Sequence, residues 1–439
     1  MRYKLIATTV FGLEAVAAYE IKTLNFENIV IENGRVIFET DEAGIVKANM
    51  WLRCVERIFV LVGTFEATTF EQLFDEVNGL PWEQYLPENA NFPVNAKSVN
   101  STLFSLSDIQ KISKKAIAKR MSSTYGVEWL EETGSKFDIL ISILKDQVIV
   151  AIDTSGEGLH KRGYRARGNE APMKETLAAG LLYVARWKPE IPLIDPMCGS
   201  GTIAIEAAMI AKNIAPGLHR KFASENWSII DPAIWKAERK EAYTKINQEV
   251  KISIKGYDMD PTSITIAKAN AELAGVEDCI TFETRAVEQF NTFERNGYII
   301  CNPPYGERLS DVRGIEKLYA AMGVAFKKYT TWSKFIITSY ENFEIAFGSR
   351  ADKNRKLYNG RIKTYFYQYT PGDKADKPVE RSTGKYSNKP QERSGERPGR
   401  KFGDKPGEKS GKPGERPARK FGDKPSRSEN SNSKWSNKK

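Results

Sequence analysis

The first part of the chain alternates short apolar runs with polar turns. A β-rich run over Leu5–Thr9 is followed by apolar positions at helical spacing in residues 12–24. Two more apolar runs, Ile29–Ile31 and Val36–Phe38, flank Asn33-Gly34. That dipeptide predicts a hairpin with a type I′ turn. The pattern therefore predicts a small α+β unit that needs a neighbour to complete its core.

The pattern in residues 41–155 predicts a mixture of helices and strands. Residues 109–121 have helical spacing, and 137–144 and 147–153 are predicted to be strands joined by a turn at Lys145-Asp146. The helix is strongly basic, so it is either a solvated face or a face that contacts phosphates. Its basic residues are Lys111, Lys114, Lys115, Lys119 and Arg120.

From residue 191 onward, predicted strands alternate with helices, which is the signature of a doubly wound parallel sheet. The strand candidates are Ile191–Asp195, Ile252–Asp258, Ile280–Thr284, Tyr298–Asn302 and Lys334–Ser339. The pattern then changes, because Lys356–Tyr358 and Arg361–Tyr369 flank Asn359-Gly360 and predict another hairpin. A parallel sheet that ends in an antiparallel hairpin is unusual among dinucleotide-binding folds and is expected of class I methyltransferases.

The last part of the chain differs in composition and charge. Residues 371–439 hold 20 Lys and Arg against 10 Asp and Glu, so they carry the whole formal net charge of +10. Large apolar residues are nearly absent, which predicts disorder. The segment GERPGRKFGDKP at 395–406 recurs as GERPARKFGDKP at 414–425. We expect a basic RNA tether in which Phe402 and Phe421 can stack on bases.

Cysteine and histidine usage predicts a reducing compartment and no metal site. The 4 cysteines form no CxxC pair, and the 2 histidines have no close cysteine partner. The amino terminus lacks the apolar stretch of a signal peptide, and no apolar run is long enough to cross a membrane. The sequence therefore predicts a cytoplasmic protein without membrane contact.

A short basic segment precedes the alternating region. Residues 160–168 read HKRGYRARG, with four positive charges, two glycines and one aromatic residue. A plain interdomain linker would be less basic. The segment is therefore either a solvated linker or, as we expect, a contact for RNA.

A glycine-rich turn follows the strand that ends at Asp195. Gly199, Gly201 and Ala204 satisfy G-x-G-x-x-[GA], which alone also fits a dinucleotide-binding turn. The glycines let the backbone approach a ligand, and the helix that follows presents free N–H groups that suit a carboxylate. Asp195 can hold the ammonium group of the same ligand.

An acidic residue ends the next strand. Asp258 is predicted to hold ribose hydroxyls, whereas Asp260 is predicted to cap the following helix. Asp258 follows Gly201 by 57 residues, rather than the roughly 20 of a dinucleotide fingerprint. The excess comes from an insertion at Asn213–Val250, and it disfavours a nicotinamide cofactor.

The most specific motif is Asn302-Pro303-Pro304-Tyr305, at the end of the fourth strand candidate. Two prolines cannot continue a strand and leave carbonyl acceptors exposed. With the Asn302 amide oxygen and the face of Tyr305, they suit a planar base with an exocyclic amine. The amine donates two hydrogen bonds to these oxygens, which leaves its nitrogen lone pair available to attack a sulfonium methyl group. This requires that the base is flipped out.

The chain resembles THUMP-containing class I RNA methyltransferases, with bacterial 23S rRNA guanine-N2 methyltransferases of the RlmL type the closest match. The segments that carry the resemblance are DPMCGSGT, NPPYGERL, DTSGEGLHKRGYR, APMKETLAAGLL, NIAPGL and KLYNGRIKTYFYQY. It covers about residues 1–370. It implies a ferredoxin-like unit at 1–52, a THUMP domain at 53–158, a Rossmann-like methyltransferase domain at 159–370 and the tail at 371–439.

The resemblance also implies S-adenosylmethionine as the cofactor and RNA as the partner. The implied cofactor contacts are Asp195, Pro196, Cys198, Gly199, Ser200, Gly201, Thr202, Asp258, Arg285 and Ala286. Relatives place an acid or amide near the adenine edge where this chain has Thr284-Arg285-Ala286, so backbone groups of the last two are expected to serve instead. The implied catalytic residues are Asn302, Pro303, Pro304 and Tyr305. The expected RNA contacts are Lys111, Lys114, Lys115, Lys119, Lys161, Arg162, Tyr164, Arg165 and Arg167.

The leading hypothesis is an enzyme that methylates the N2 amine of a guanine in 23S rRNA. A second hypothesis keeps the chemistry and moves it to tRNA. A third is amino methylation of adenine in DNA or RNA, since the Asn-Pro-Pro-Tyr motif suits any amino-bearing base. The THUMP-like half favours RNA over DNA. A hypothesis of another class is an RNA-binding ribosome-assembly factor whose methylation is dispensable.

Overall fold

A computed structural model describes residues 1–165, 173–305 and 312–371 of the chain. Arg167, one of the expected RNA contacts, and the tail from residue 372 lie outside them. Each half of the described chain is built on one seven-stranded sheet. Within the described ranges, no helix is long and apolar enough to cross a membrane.

The first sheet contains both the amino-terminal unit and the THUMP-like region. Its strand order is β2-β3-β1-β4-β7-β6-β5. The elements of this half are β1 (Tyr3–Thr9), α1 (Glu14–Thr23), β2 (Glu27–Glu32), β3 (Arg35–Thr40), α2 (Glu42–Trp51), β4 (Val55–Glu66), α3 (Phe70–Gly79), β5 (Val94–Val99), α4 (Leu106–Tyr125), β6 (Ile139–Leu144) and β7 (Gln147–Asp153). β4 is 12 residues long and pairs with β1 on one side and β7 on the other. One strand therefore joins the two parts into a continuous sheet.

The turns of the predicted hairpins follow their local sequences, with one correction. Lys145 and Asp146 both have positive φ, 51° and 64°, as a type I′ turn requires. At Asn33-Gly34 only Gly34 is left-handed, with φ 75°. The hairpin at 33–34 is therefore confirmed, but the type I′ turn predicted for it is wrong.

The second sheet has the order β10-β9-β8-β11-β12-β14-β13. Its first five strands are parallel, and β14 pairs antiparallel with both β12 and β13. The elements of this half are α5 (Glu175–Ala185), β8 (Leu193–Asp195), α6 (Thr202–Ala211), α7 (Pro232–Thr244), β9 (Ile254–Asp258), α8 (Pro261–Leu273), β10 (Ile280–Thr284), β11 (Tyr298–Cys301), α9 (Val312–Lys327), β12 (Ser333–Thr338), α10 (Phe343–Phe347), β13 (Lys353–Asn359) and β14 (Ile362–Tyr369). The predicted parallel sheet with a terminal antiparallel hairpin is confirmed.

The insertion between α6 and β9 packs against the first sheet. The Trp227 ring stacks on Phe137 with 4.6 Å between centroids, and its indole N–H donates to the Lys136 carbonyl at 3.0 Å. Arg220 is buried and donates to carbonyls of the preceding linker, including Gly158 at 2.8 Å. The insertion thus connects the first sheet to the second half of the chain.

Candidate functional site

The candidate site is formed where four neighbouring parallel strands end. Asp195 ends β8, Asp258 ends β9, and Asn302 directly follows β11. Thr284 ends β10 and pairs with Asp258. Because the sheet order is β10-β9-β8-β11, these side chains share one edge of the sheet, which is where ligands bind in doubly wound folds.

The glycine-rich turn between β8 and α6 is held by backbone hydrogen bonds to β9. The Cys198 N–H donates to the Tyr257 carbonyl at 2.8 Å, and the Gly199 N–H donates to the Asp258 carboxylate at 2.9 Å. Gly199 has φ 52°, and a Cβ atom added to it would meet no other atom within 4 Å. The turn therefore has an open face beside Gly199.

Two other glycines of this region serve packing. A Cβ atom on Gly201 would lie 3.0 Å from the Phe282 ring, and one on Gly256 would lie 2.6 Å from the same ring. Gly201 has φ 82° and precedes the first residue of α6. Gly201 and Gly256 let the turn pack closely against β9 and β10, whereas Gly199 is next to open space.

Asp195 is a buried carboxylate at the centre of the edge. It is 1% exposed and accepts a hydrogen bond from the Met197 N–H at 3.2 Å. Burial raises the pKa of Asp195 well above its usual value, and the negative charge of Asp258 raises it further. A cationic ligand group beside Asp195 would offset this cost.

Asp258 uses both carboxylate oxygens to accept backbone hydrogen bonds, from Gly199 and from Asp260 at 3.0 Å. Each oxygen retains further acceptor capacity for a ribose hydroxyl. Asp260 accepts from the Thr262 and Ser263 N–H groups, so it caps α8 as predicted.

The structure changes the expectation for residues 285 and 286. The Arg285 N–H already donates to the Asp258 carbonyl at 2.8 Å, and the Arg285 guanidinium pairs with Glu283 and lies over the Tyr257 ring. The backbone N–H of Arg285 is therefore occupied by the protein. The Arg285 carbonyl and the backbone of Ala286 remain predictions for the adenine contact.

The Asn-Pro-Pro-Tyr turn is ordered by two tyrosine hydroxyls. The Tyr305 hydroxyl donates to the Asn302 amide oxygen. Burial raises the pKa of Tyr305 above its usual value, so it remains a donor. The Tyr319 hydroxyl, on α9, donates to the Pro304 carbonyl at 2.8 Å. Within the described part of the chain, no donor contacts the Pro303 carbonyl.

The basic linker does not present all its charges to solvent. Arg162 is 3% exposed and pairs with buried Glu206 of α6 at 3.4 Å, and the Tyr164 hydroxyl donates to the same carboxylate at 3.2 Å. The expectation that Arg162 and Tyr164 contact RNA is therefore wrong. Their side chains are buried, and their polar groups form hydrogen bonds within the protein. Lys161 remains exposed beside Glu157.

Arg165 points at the glycine-rich turn. Its Nη2 atom lies 3.0 Å from the Thr202 hydroxyl, at the start of α6, and 3.3 Å from Glu175. Its side chain is 19% exposed, and its Nε atom is buried without a partner among the described residues. The guanidinium faces the edge where the strands end, and the RNA contact expected of Arg165 stays a prediction.

The lysines of α4 fall into two sets. Lys114 pairs with Glu132 at 2.8 Å and lies over the Phe92 ring. The other three, Lys111, Lys115 and Lys119, form no ion pair within the described residues and are exposed, although Lys119 lies over the Phe74 ring. They follow one another at intervals of four residues, so they share one face of the helix. They remain predicted RNA contacts.

Two positioning residues have little or no signal in the sequence. Asn270 is 1% exposed on α8 and donates to the Ser200 carbonyl in the glycine-rich turn at 3.1 Å. The position of Asn270 among the apolar residues 267 and 271 indicates that its polar side chain is buried. The pattern does not indicate which group it contacts. Tyr319 is fully buried on α9, and its spacing is that of an ordinary core residue.

Comparisons with known proteins agree with this fold. Three family models match consecutive parts of the chain: an RlmL ferredoxin-like domain at residues 4–59, a THUMP domain at 67–153 and an RMKL-like methyltransferase domain at 162–368. The Bacillus subtilis (strain 168) protein named "Putative RNA methyltransferase YpsC" is 48% identical over 370 residues, which cover 84% of this chain and 96% of that protein.

Two solved structures are similarly close. SMU.472, described as "a putative methyltransferase complexed with SAH", is 45% identical with a TM-score of 0.81 over 84% of this chain and 98% of its own. A protein from Listeria monocytogenes str. 4b F2365, described as "a predicted N6-adenine-specific DNA methylase", is 47% identical with a TM-score of 0.81, over 85% of this chain and 97% of its own.

The fold and the site define a class I methyltransferase that uses S-adenosylmethionine. The chain belongs to the THUMP-containing RNA methyltransferases of the RlmL type. The cofactor fits the residues present. Its ammonium and sulfonium charges suit the buried Asp195 carboxylate, and the open face beside Gly199 admits the ligand close to the backbone.

Proposed function

We propose that this enzyme methylates the exocyclic N2 amine of a guanine in 23S rRNA, acting in the cytoplasm. The observation that carries the proposal is the Asn302-Pro303 pair of oxygens beside Asp195, on adjacent strands of the sheet. The match to an RlmL ferredoxin-like domain at residues 4–59 supports an rRNA target. We also propose the boundaries 1–52, 53–158, 159–370 and 371–439 for its parts.

The residues around Asn302 act by binding and orienting the base. The Asn302 amide oxygen has two lone pairs, so it can accept from Tyr305 and from the target amine together. The Pro303 carbonyl accepts a hydrogen bond from the other N–H of the amine. When bound, S-adenosylmethionine supplies the methyl group. The amine nitrogen forms the new C–N bond as the C–S bond breaks toward sulfur, and the nitrogen then releases a proton to water.

On the cofactor side, Asp195 holds the ammonium group and Asp258 holds the ribose. The start of α6, with Ser200, Gly201 and Thr202, receives the carboxylate. Arg165 joins this group, because its guanidinium contacts the Thr202 hydroxyl at 3.0 Å. A guanidinium next to a helix N-terminus provides a charged donor where backbone N–H groups alone provide neutral ones.

One methyl-transfer assay tests both the identity of the methylated base and the identity of the RNA substrate. Labelled S-adenosylmethionine is supplied with separated pools of unmethylated 23S rRNA, 16S rRNA and tRNA, and the product is digested to nucleosides. We expect N2-methylguanosine in 23S rRNA alone. Label confined to tRNA would overturn the substrate but keep the site. Transfer to no pool, with RNA still bound, would favour the assembly-factor hypothesis.

A second candidate is amino methylation of adenine. It is favoured by the Listeria relative, which is described as an N6-adenine-specific DNA methylase. The oxygens of Asn302 and Pro303 suit an adenine amine as well as a guanine amine. N6-methyladenosine in the same digest would establish this candidate and exclude the guanine target.

The raised pKa of Asp195 predicts a pH dependence of cofactor binding. As the pH falls through that raised pKa, the carboxyl group protonates and loses its attraction for the cationic ligand. Calorimetric titration should therefore show weaker binding of S-adenosylmethionine at acidic pH. Asp195→Asn is expected to weaken binding about 10- to 100-fold at neutral pH and to abolish this part of the pH dependence.

The same variant separates binding from stability. Since a buried charge is costly when no ligand is present, the ligand-free Asp195→Asn protein should unfold at a higher temperature than the wild type at neutral pH. Titration of the ligand's own amine is common to both proteins and serves as the control. Superimposable pH profiles for the two proteins would show that Asp195 does not hold the cation.

A further inference from the structure

A concave surface, which we call the distal groove, lies between α1 and the second sheet. It encloses a cavity of about 970 Å³, and the end of α5 and the start of β13 form its walls. Gln368 and Thr370 also line it, at the end of β14. Tyr369 pairs with Lys334 near the start of β12, whereas Tyr365 pairs with Thr338 at its end. The distal groove is thus at the sheet edge opposite the candidate site.

Cationic side chains dominate the distal groove. Arg186, Lys188, Lys353 and Arg355 line it, and none of them forms an ion pair within residues 1–165, 173–305 and 312–371. The carboxylate in the lining, Asp352, already accepts from the Thr370 N–H at 2.7 Å and from its hydroxyl at 2.9 Å. The groove therefore has an excess of positive charge that the described protein does not neutralise.

An exposed aromatic ring stands beside these charges. Tyr19 of α1 is 60% exposed. Its ring centroid lies 6.5 Å from that of Tyr183 on α5, in an edge-to-face arrangement, so the half-buried Tyr183 ring supports one side of the exposed ring. A cationic groove with an aromatic face is the arrangement that binds single-stranded nucleic acid with little sequence preference.

The positive charge of the residues from 371 onward argues against their binding in the distal groove. The described chain ends at residue 371, next to Thr370 in the groove wall. The residues from 371 onward carry the entire net charge of +10, so electrostatic repulsion disfavours their insertion among Arg186, Lys188, Lys353 and Arg355. A polyanion is attracted both to the groove and to the basic residues from 371 onward, and the RNA substrate proposed above is a polyanion.

We propose that the distal groove binds a single-stranded segment of the RNA substrate, with its phosphates on Lys188 and Lys353 and a base against Tyr19. This inference needs only that the substrate is RNA, and not that the modified base is a guanine. The groove would hold RNA on the side of the methyltransferase domain away from the reacting base. Its cavity volume is within the range of ordinary ligand sites.

The test uses the full chain with the variants Lys188→Ala/Lys353→Ala and Tyr19→Ala. Binding of labelled polyuridine and of unmethylated 23S rRNA is measured by filter retention over a series of salt concentrations. The double variant should lower the slope of log affinity against log salt by about 0.7 per lost phosphate contact. Tyr19→Ala should weaken binding about 5- to 100-fold with little change in slope.

The matched control is Lys236→Ala/Lys240→Ala, which removes two exposed lysines of α7 outside the groove. Affinity for S-adenosylhomocysteine and the unfolding temperature should match the wild type in every variant, since the groove is remote from the cofactor edge. A salt slope and an affinity equal to those of the control would overturn the proposal and point to a partner of another class.

The outcome is separate from that of the proposed function. Loss of groove contacts raises the KM for RNA and leaves kcat and the identity of the methylated nucleoside unchanged. An unexpected nucleoside in the digest would contradict the guanine assignment without affecting the groove. A fall in kcat at saturating RNA, with KM unchanged, would contradict the groove proposal.

Discussion

Methyl transfer by the Asn302→Ala protein is expected to be about 100- to 1,000-fold slower than by the wild type, the usual cost of removing one preorganised polar group at a reacting centre. The variant loses the amide oxygen that accepts from the target amine, and it also leaves the Tyr305 hydroxyl without its acceptor. The decisive measurement is the single-turnover rate at saturating cofactor and RNA, because this rate excludes changes in binding.

Two further variants identify the role of the oxygen. Asn302→Asp keeps an acceptor in place and should retain more activity than Asn302→Ala. Tyr305→Phe removes the hydroxyl that orients Asn302 and should slow transfer about 3- to 10-fold, as expected for one neutral hydrogen bond. RNA affinity and cofactor affinity should be unchanged in all three. Wild-type turnover by Asn302→Ala would show that the site assignment is wrong.

The second large effect is expected at Arg165. Arg165→Met should weaken the binding of S-adenosylhomocysteine about 10- to 100-fold, because a charged hydrogen bond to the ligand's carboxylate is lost. Arg165→Lys keeps the charge but not the fork of donors, and we expect an intermediate loss. Isothermal titration calorimetry measures both directly.

A truncated ligand distinguishes a direct contact from a structural role. 5′-Methylthioadenosine lacks the carboxylate and the ammonium group, so its affinity should be the same for wild type and Arg165→Met. If Arg165 acts only by pairing with Glu175 and Thr202, both ligands will lose affinity equally. If instead RNA affinity falls while both ligands bind normally, the original assignment of Arg165 to RNA is the better one.

The parallel half of the fold could be predicted closely because short apolar runs bounded by turn residues mark its strands. β10 spans Ile280–Thr284 as predicted, and β11 ends one residue before the predicted limit, where Asn302 and Pro303 stop it. The terminal hairpin follows from Asn359-Gly360. By contrast, no pattern indicated that β4 runs for 12 residues and pairs on both sides. Strand partners are chosen by tertiary packing, which local periodicity does not encode.

The sequence predicted the site residues that belong to a motif. It did not predict those whose role depends on a side-chain contact with a distant part of the chain. The strand-end residues Asp195, Asp258 and Asn302 share one edge because all parallel strands end there. Arg162 and Arg165 have the same local appearance, yet one is buried against Glu206 and the other faces the cofactor turn. That difference depends on α6, some forty residues further along the chain, and no local pattern contains it.

The shared strand β4 limits how this enzyme can be re-engineered. A chimera that exchanged the THUMP region from residue 53 onward would divide a sheet whose longest strand pairs with β1 and β7 at once. The transferable cassette therefore begins at the first residue and ends after β7. It also has to bring a matching insertion, since Trp227 is stacked on Phe137 across the junction. Retargeting to another RNA would succeed by transplanting that whole assembly rather than a single domain.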